Sequence, residues 1–215
     1  MKCGISIVID YLLKNYDKII RWTTQHIEIV FITLVFSLLL TSLIIILTSL
    51  FPKTKPIVKG LFSMVYAIPS LAFFALMIPL TGLGRTTTIF VLVMYNQTIL
   101  LNNILNGFDT INPPIVEAAR GMGMNKLQLL TKILIPLSMS SIFTGIRLAV
   151  VSSVGITVIG ASINAGGLGT LLFEGLRTQN TVKLLWGTIL ASLLVILFNW
   201  LFKQVETRLK KQQIS

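Results

Sequence analysis

The chain has 215 residues and a net charge of +11; 54% of its residues are hydrophobic and only 12% are charged. Soluble domains carry about 25% charged residues, so this composition, with a mean hydropathy of +0.86, excludes an ordinary water-soluble globule and points to a bilayer as solvent. The basic excess lies in the short gaps between apolar runs rather than on one face among aromatics, so nucleic acid is not an expected partner.

In chain order, residues 1–26 form a charged N-terminal segment in which 5–20 read as an amphipathic helix lying at the membrane interface. No cleavable signal pattern is present there. Cys3 is the sole cysteine and His26 the sole histidine. A Cys or His metal cluster is therefore not expected, nor is any cofactor. Cys3 reads as an incidental thiol and His26, near Trp22, as an interfacial residue.

Five stretches reach the roughly 20 mainly apolar residues that a spanning helix needs: 27–50, 57–80, 86–105, 137–161 and 182–202. The second is broken by Pro69 and closed by Pro79. The expected fold is all-α and polytopic, with a transmembrane domain over 27–202 and a basic tail over 203–215. Five spans place Lys53, Lys55, Lys59, Arg120, Lys126, Lys132, Lys203, Arg208, Lys210 and Lys211 on one side, against seven basic residues on the other. By the positive-inside rule the N-terminus is outside and the C-terminus cytoplasmic, in a multi-pass cell-membrane protein.

Polar residues inside the spans are candidates for a solute pathway. In the third span Asn96, Asn103 and Asn106 share one wedge at about 100° per residue. Amides are costly in hydrocarbon, so that wedge faces protein or water, as helix–helix glue or as pathway lining. Pro69 and the Ser152–Ser153 pair of the small-residue fourth span complete the candidate set. Arg147, the one charge inside the fourth span, either snorkels to the interface or pairs with a carboxylate or a partner subunit. In 164–181 the run Gly166-Gly167-Leu168-Gly169 suits a tight turn ahead of a short surface helix.

The loop 107–136 is a polar island with its own helical design. Asn112-Pro113-Pro114 starts a helix, Glu117 falls in its first turn, Ala118 and Ala119 keep a face small, and Gly121 and Gly123 end it. Asn125 caps a following helix that leads to Pro136. No phosphate-binding glycine loop, paired carboxylates or Ser-His-Asp arrangement occurs in the sequence, so an enzyme is not expected and any energy source lies elsewhere.

Glu117-Ala118-Ala119, then three residues, Gly123, nine residues and Ile133-Leu134-Ile135-Pro136 resembles the EAA loop of permease subunits of binding-protein-dependent ABC importers. Only Ile135, where that pattern has leucine, departs. The runs 66–72, 78–84, 117–124, 145–149 and 163–169 are similar to the branch carrying glycine betaine, carnitine, choline and related osmoprotectants. The resemblance covers 27–209. It implies a type I permease fold, with Glu117, Ala118, Ala119, Arg120, Gly121 and Gly123 as a coupling helix that docks into an ABC ATPase. It also implies a second permease subunit (the same chain or a relative), an extracytoplasmic solute-binding protein and alternating access. The chain ends at Ser215, so that receptor is expected on another polypeptide. Members of the branch often have glycine where this chain has Asn164, a difference that bears on receptor docking. No aromatic cage for a quaternary ammonium is evident in the spans, which puts selectivity in the receptor. The alternatives are a permease for methionine or a sulfonate, a secondary transporter, and a non-transporting scaffold.

Overall fold

A computed structural model describes residues 4–214, with side chains described over 8–208. Cys3, Lys2 and the side chains of Lys210 and Lys211 lie outside the described residues. Among those described the regular structure is helical throughout. The chain divides into two compact units, one of Met1–Thr33, Pro69–Leu92 and Ser152–Leu197, the other of Leu34–Ile68, Val93–Val151 and Phe198–Ser215.

Helix α1 runs over Gly4–Leu50, with non-helical backbone only at Asn15, whose amide bonds back to the Tyr11 carbonyl at 3.0 Å and competes with the helical ladder. No backbone break falls at residue 26. The part Val8–Leu50 has 43 residues, with all its charged side chains before Ile29. At 1.5 Å each it is about twice as long as a roughly 30 Å hydrocarbon layer is thick, so one end must emerge from it.

After a 3-10 turn at Pro52–Thr54 come α2 (Lys55–Ala67) and α3 (Ser70–Thr81), separated by extended Ile68 and Pro69. Counted as one broken span, this pair brings the candidate spans from four to five. Pro79 does not close the segment as expected: it lies inside α3, which continues to Gly82 at φ 81°. A proline this near a helix end removes one ladder bond and leaves only two residues beyond it, so the glycine sets the stop.

Helix α4 spans Arg85–Asp109, followed by α5 (Pro113–Gly121) and α6 (Lys126–Leu129). A π-helical stretch, Leu130–Leu134, precedes the short α7 (Ile135–Leu137). It ends two residues before Pro136, whose missing N–H interrupts the regular ladder. Then come α8 (Met139–Gly160), α9 (Gly169–Arg177) and α10 (Thr181–Ile214). The tail at 203–214 is thus a continuation of α10, with no break at residue 202.

Each unit has its own apolar core. In the first, Ile29, Leu92 and Ala165 pack together. In the second, Leu100, Leu101, Ile104 and Leu105 of α4 meet Ile45, Phe62, Leu130 and Ala149. Close packing of α4 on α8 depends on two small residues. A Cβ on Gly107 would lie 2.6 Å from the Ser141 Cβ, and one on Gly145 would lie 2.9 Å from the Asn103 Cβ. Large apolar side chains such as Leu80, Met64 and Phe31 stay more than 60% exposed, a surface that only lipid or a partner makes affordable.

Candidate functional site

The loop between α4 and α8 carries the best-defined surface knob. Asn112 precedes α5 without a side-chain cap, and Pro113 and Pro114 occupy the first turn, where a missing N–H costs nothing. Glu117 sits one turn further on than expected; the first turn holds no acidic residue. The helix ends in a Schellman motif: Met124 N–H donates to the Ala119 carbonyl at 3.2 Å and Gly123 N–H to the Arg120 carbonyl at 2.9 Å. Gly123 alone supplies the left-handed backbone, at φ 80°. Gly121 is simply the last helical residue. Asn125 then caps α6 in a reciprocal box with Gln128, at 2.8 and 2.9 Å.

These bonds make α5 a discrete, doubly terminated element. Glu117, Ala118, Arg120, Gly121 and Gly123 are exposed, whereas Ala119 is 1% exposed and turned inward. The expectation that both alanines form the outer small face is therefore corrected: Ala118 lies outside and Ala119 packs beneath. The sequence could not separate neighbouring alanines about 100° apart on one helix without knowing which side the chain covers.

The pathway candidates fall in different units, with Pro69, Ser152 and Ser153 in the first and Asn96 and Asn103 in the second. Pro69 is exposed, Ser152 half-buried and Ser153 buried. Asn96 is buried and donates to the Ser37 hydroxyl at 3.2 Å. Gln97 next to it bonds the Thr41 hydroxyl at 2.8 Å and the Ser37 carbonyl at 3.3 Å. These amides join α4 to α1, which is the helix–helix role. Asn103, half-buried, lines a polar cavity of about 180 Å³ with Asn106, Thr110, Ser141 and Thr144. Tyr95 donates to the Ile68 carbonyl at 2.6 Å and meets Tyr66 edge-on at 5.6 Å, so this aromatic pair secures the end of α2.

Arg147 does not snorkel. Its Nε donates to Glu206 at 3.0 Å and its Nη1 to Asn199 at 3.0 Å, while Thr144 donates to the other Glu206 oxygen at 2.9 Å. The Arg147 and Glu206 side chains are 21% and 8% exposed. Glu206 is the residue that sequence reasoning passed over. It lies in a stretch read as a basic tail, and only the continuation of α10 brings it to α8.

His26 is not interfacial either; it is fully buried. Its Nε2–H donates to the Val154 carbonyl at 3.1 Å, and Nδ1 accepts from Leu168 N–H at 3.3 Å, so one tautomer serves both bonds. Gln25 accepts from Gly167 N–H at 3.3 Å. A Cβ on Gly167 would lie 3.0 Å from His26 Nδ1, and its φ is 79°, so close approach and backbone both require glycine there. Asn164 adopts φ 66°. That left-handed geometry suits asparagine, the non-glycine residue most tolerant of it. It borders a cavity of about 620 Å³ with Glu174 and Arg177. Among the described residues no group of three or more His, Cys, Asp or Glu side chains could hold a metal.

Comparison with known proteins places this architecture in a class. Residues 39–211 match the family described as binding-protein-dependent transport system inner membrane component. The chain belongs to that family: it is an ABC-importer-type permease, a multi-pass membrane component of a transport system. It is 31% identical over 211 residues to the osmoprotectant import permease protein of Salmonella typhimurium, covering 96% of this chain and 98% of that one. It is 30% identical over 207 residues to a carnitine transport permease protein of Listeria monocytogenes, covering 96% and 95%. A 37% identity over 145 residues links it to the ergothioneine transport permease/ergothioneine binding protein of Helicobacter pylori, covering 67% of this chain but only 26% of that longer one. In fold it is similar to a methionine ABC transporter solved in an inward-facing conformation, at 19% identity and a TM-score of 0.83 over 89% of this chain and 96% of that chain.

Proposed function

We propose that the chain is one membrane-spanning half of an ATP-driven importer for glycine betaine, carnitine and choline-type solutes. In this reading a separate ABC ATPase hydrolyses ATP and receives α5 through Glu117, Ala118, Arg120, Gly121 and Gly123. A second permease subunit completes the pathway, and an extracytoplasmic binding protein delivers the solute. The N-terminus is outside and the α5 loop cytoplasmic, in line with its basic residues. Alternating access follows when ATPase closure moves α5 and with it the ends of α4 and α8. The observation that carries this reading is α5 itself, a capped knob with an exposed Glu117–Ala118 face in a chain of this family.

The docking half of the reading is tested by crosslinking. Ala118→Cys is expected to crosslink efficiently to a cysteine placed in the ATPase groove, and Ala119→Cys poorly, because its side chain is covered. Equal crosslinking of both, or of neither, overturns the proposed face.

The cargo half rests on the names of the relatives and is tested by uptake. Salt-stressed cells lacking this gene are expected to lose most betaine, carnitine or choline uptake, and the wild-type chain to restore it. Unchanged uptake of all three overturns the cargo. The 37% identity to a permease named for ergothioneine favours one second reading, in which labelled ergothioneine is the solute lost in the same assay.

A further inference from the structure

A cavity of about 670 Å³ lies behind α5 within the second unit, in the size range of small-molecule sites. Its floor is apolar, formed by Ile45, Leu105, Phe108, Val116, Leu129 and Leu134. Its rim is basic. Lys55 is taken up by Asp109 at 2.5 Å, and Lys126 donates to the Leu50 carbonyl at 2.8 Å with its charge uncompensated by that bond. Arg120 borders the cavity, and among the described residues its guanidinium has no hydrogen-bond or ion-pair partner.

The cavity sits where α1 and α4 both end, the level at which a spanning helix meets lipid headgroups. A small soluble anion would satisfy the rim and leave the floor dry and empty. A neutral amphiphile would fill the floor and leave Arg120 unpaired. Both features are met by an anionic amphiphile, and basic pockets beside spanning helices suit anionic phospholipid headgroups.

We propose that this cavity binds one anionic phospholipid, its phosphodiester held by Arg120 and Lys126 and its first acyl carbons on the Leu105–Phe108–Val116 floor. Because Val116, Arg120 and Met124 line the cavity, the bound lipid props the underside of α5 against the ends of α1 and α4. The proposal rests on the transport reading only for the side of the membrane on which α5 lies.

The test uses the full chain purified in maltoside detergent and native mass spectrometry against equimolar phosphatidylglycerol, phosphatidylcholine and oleate. Wild type is expected to retain one phosphatidylglycerol at least about fivefold over phosphatidylcholine. Val116→Trp, which fills the floor, and Arg120→Gln, a surface change that leaves packing alone, are each expected to erase that preference; Lys203→Gln keeps it. Equal retention of the two phospholipids, preference for oleate, or undiminished retention in Arg120→Gln overturns the proposal. The cavity as a seat for an ATPase side chain instead predicts no retained lipid in the isolated chain, which also overturns it. The readout involves neither solute nor ATPase, so a chain that imports none of the tested solutes yet keeps phosphatidylglycerol separates the two readings.

Discussion

Replacing Gly169 by alanine is expected to cost about 3 kcal/mol or more and to lower the melting temperature of the purified chain by roughly 6–12 °C. A Cβ at this position would stand 2.0 Å from the Val158 carbonyl oxygen and 2.7 Å from the Ala161 Cβ. The first obstacle is backbone in α8, which cannot swing aside as a side-chain tip does, so α9 has to move away or unwind. Gly155, also in α8, is the internal control: a Cβ there meets nothing within 4 Å. Gly155→Ala is expected to leave the melting temperature unchanged or raise it slightly, since alanine loses less conformational entropy in a helix. Fluorescence-detected thermal unfolding of both variants in one detergent checks the pair. A Gly169→Ala protein as stable as wild type would show that α9 does not rest on the Val158 carbonyl.

The second large effect is expected at the Arg147–Glu206 pair. Arg147→Met removes one partner and leaves the Glu206 carboxylate, 8% exposed, in a space with little water. Loss of one member of a buried pair costs about 3–5 kcal/mol; the lower end applies here because Arg147 keeps some contact with solvent. Glu206→Leu removes the carboxylate while the Asn199 bond to the guanidinium stays, and is expected to be nearly as damaging. The double variant Arg147→Met/Glu206→Leu is expected to recover at least about 1 kcal/mol relative to the sum of the singles, since neither charge is then left without the opposite one. The same thermal unfolding assay measures the cycle, and strict additivity sinks the idea of a direct pair.

Much of the fold is legible in the sequence alone, because a bilayer imposes its own length rule. Residues 86–105 and 137–161 read as spans; α4 extends the first by one and four residues, and α8 lies within the second, two residues shorter at its start and one at its end. The proline start, the glycine stop and the Asn125 cap of the α5–α6 loop were equally readable, since each acts through backbone chemistry within four residues. Pro79 misled because proline near a helix end reads as a terminator, whereas the positive φ of Gly82 is what ends α3. Asn96 could not be assigned from its wedge: the same amide serves a pathway or a neighbour, and the difference is the Ser37 hydroxyl on another helix.

Sequence by itself determined the solvent, the approximate number of spans, the family pattern around Glu117 and the boundaries of α5, all of which follow from composition and local backbone rules. Tertiary structure decided which alanine of α5 faces outward, that His26 holds the Gly167–Leu168 turn, and that Arg147 finds Glu206 59 residues away. Those outcomes depend on which helices come into contact, and burial and charge pairing between distant segments are properties of the packed chain that no local pattern encodes.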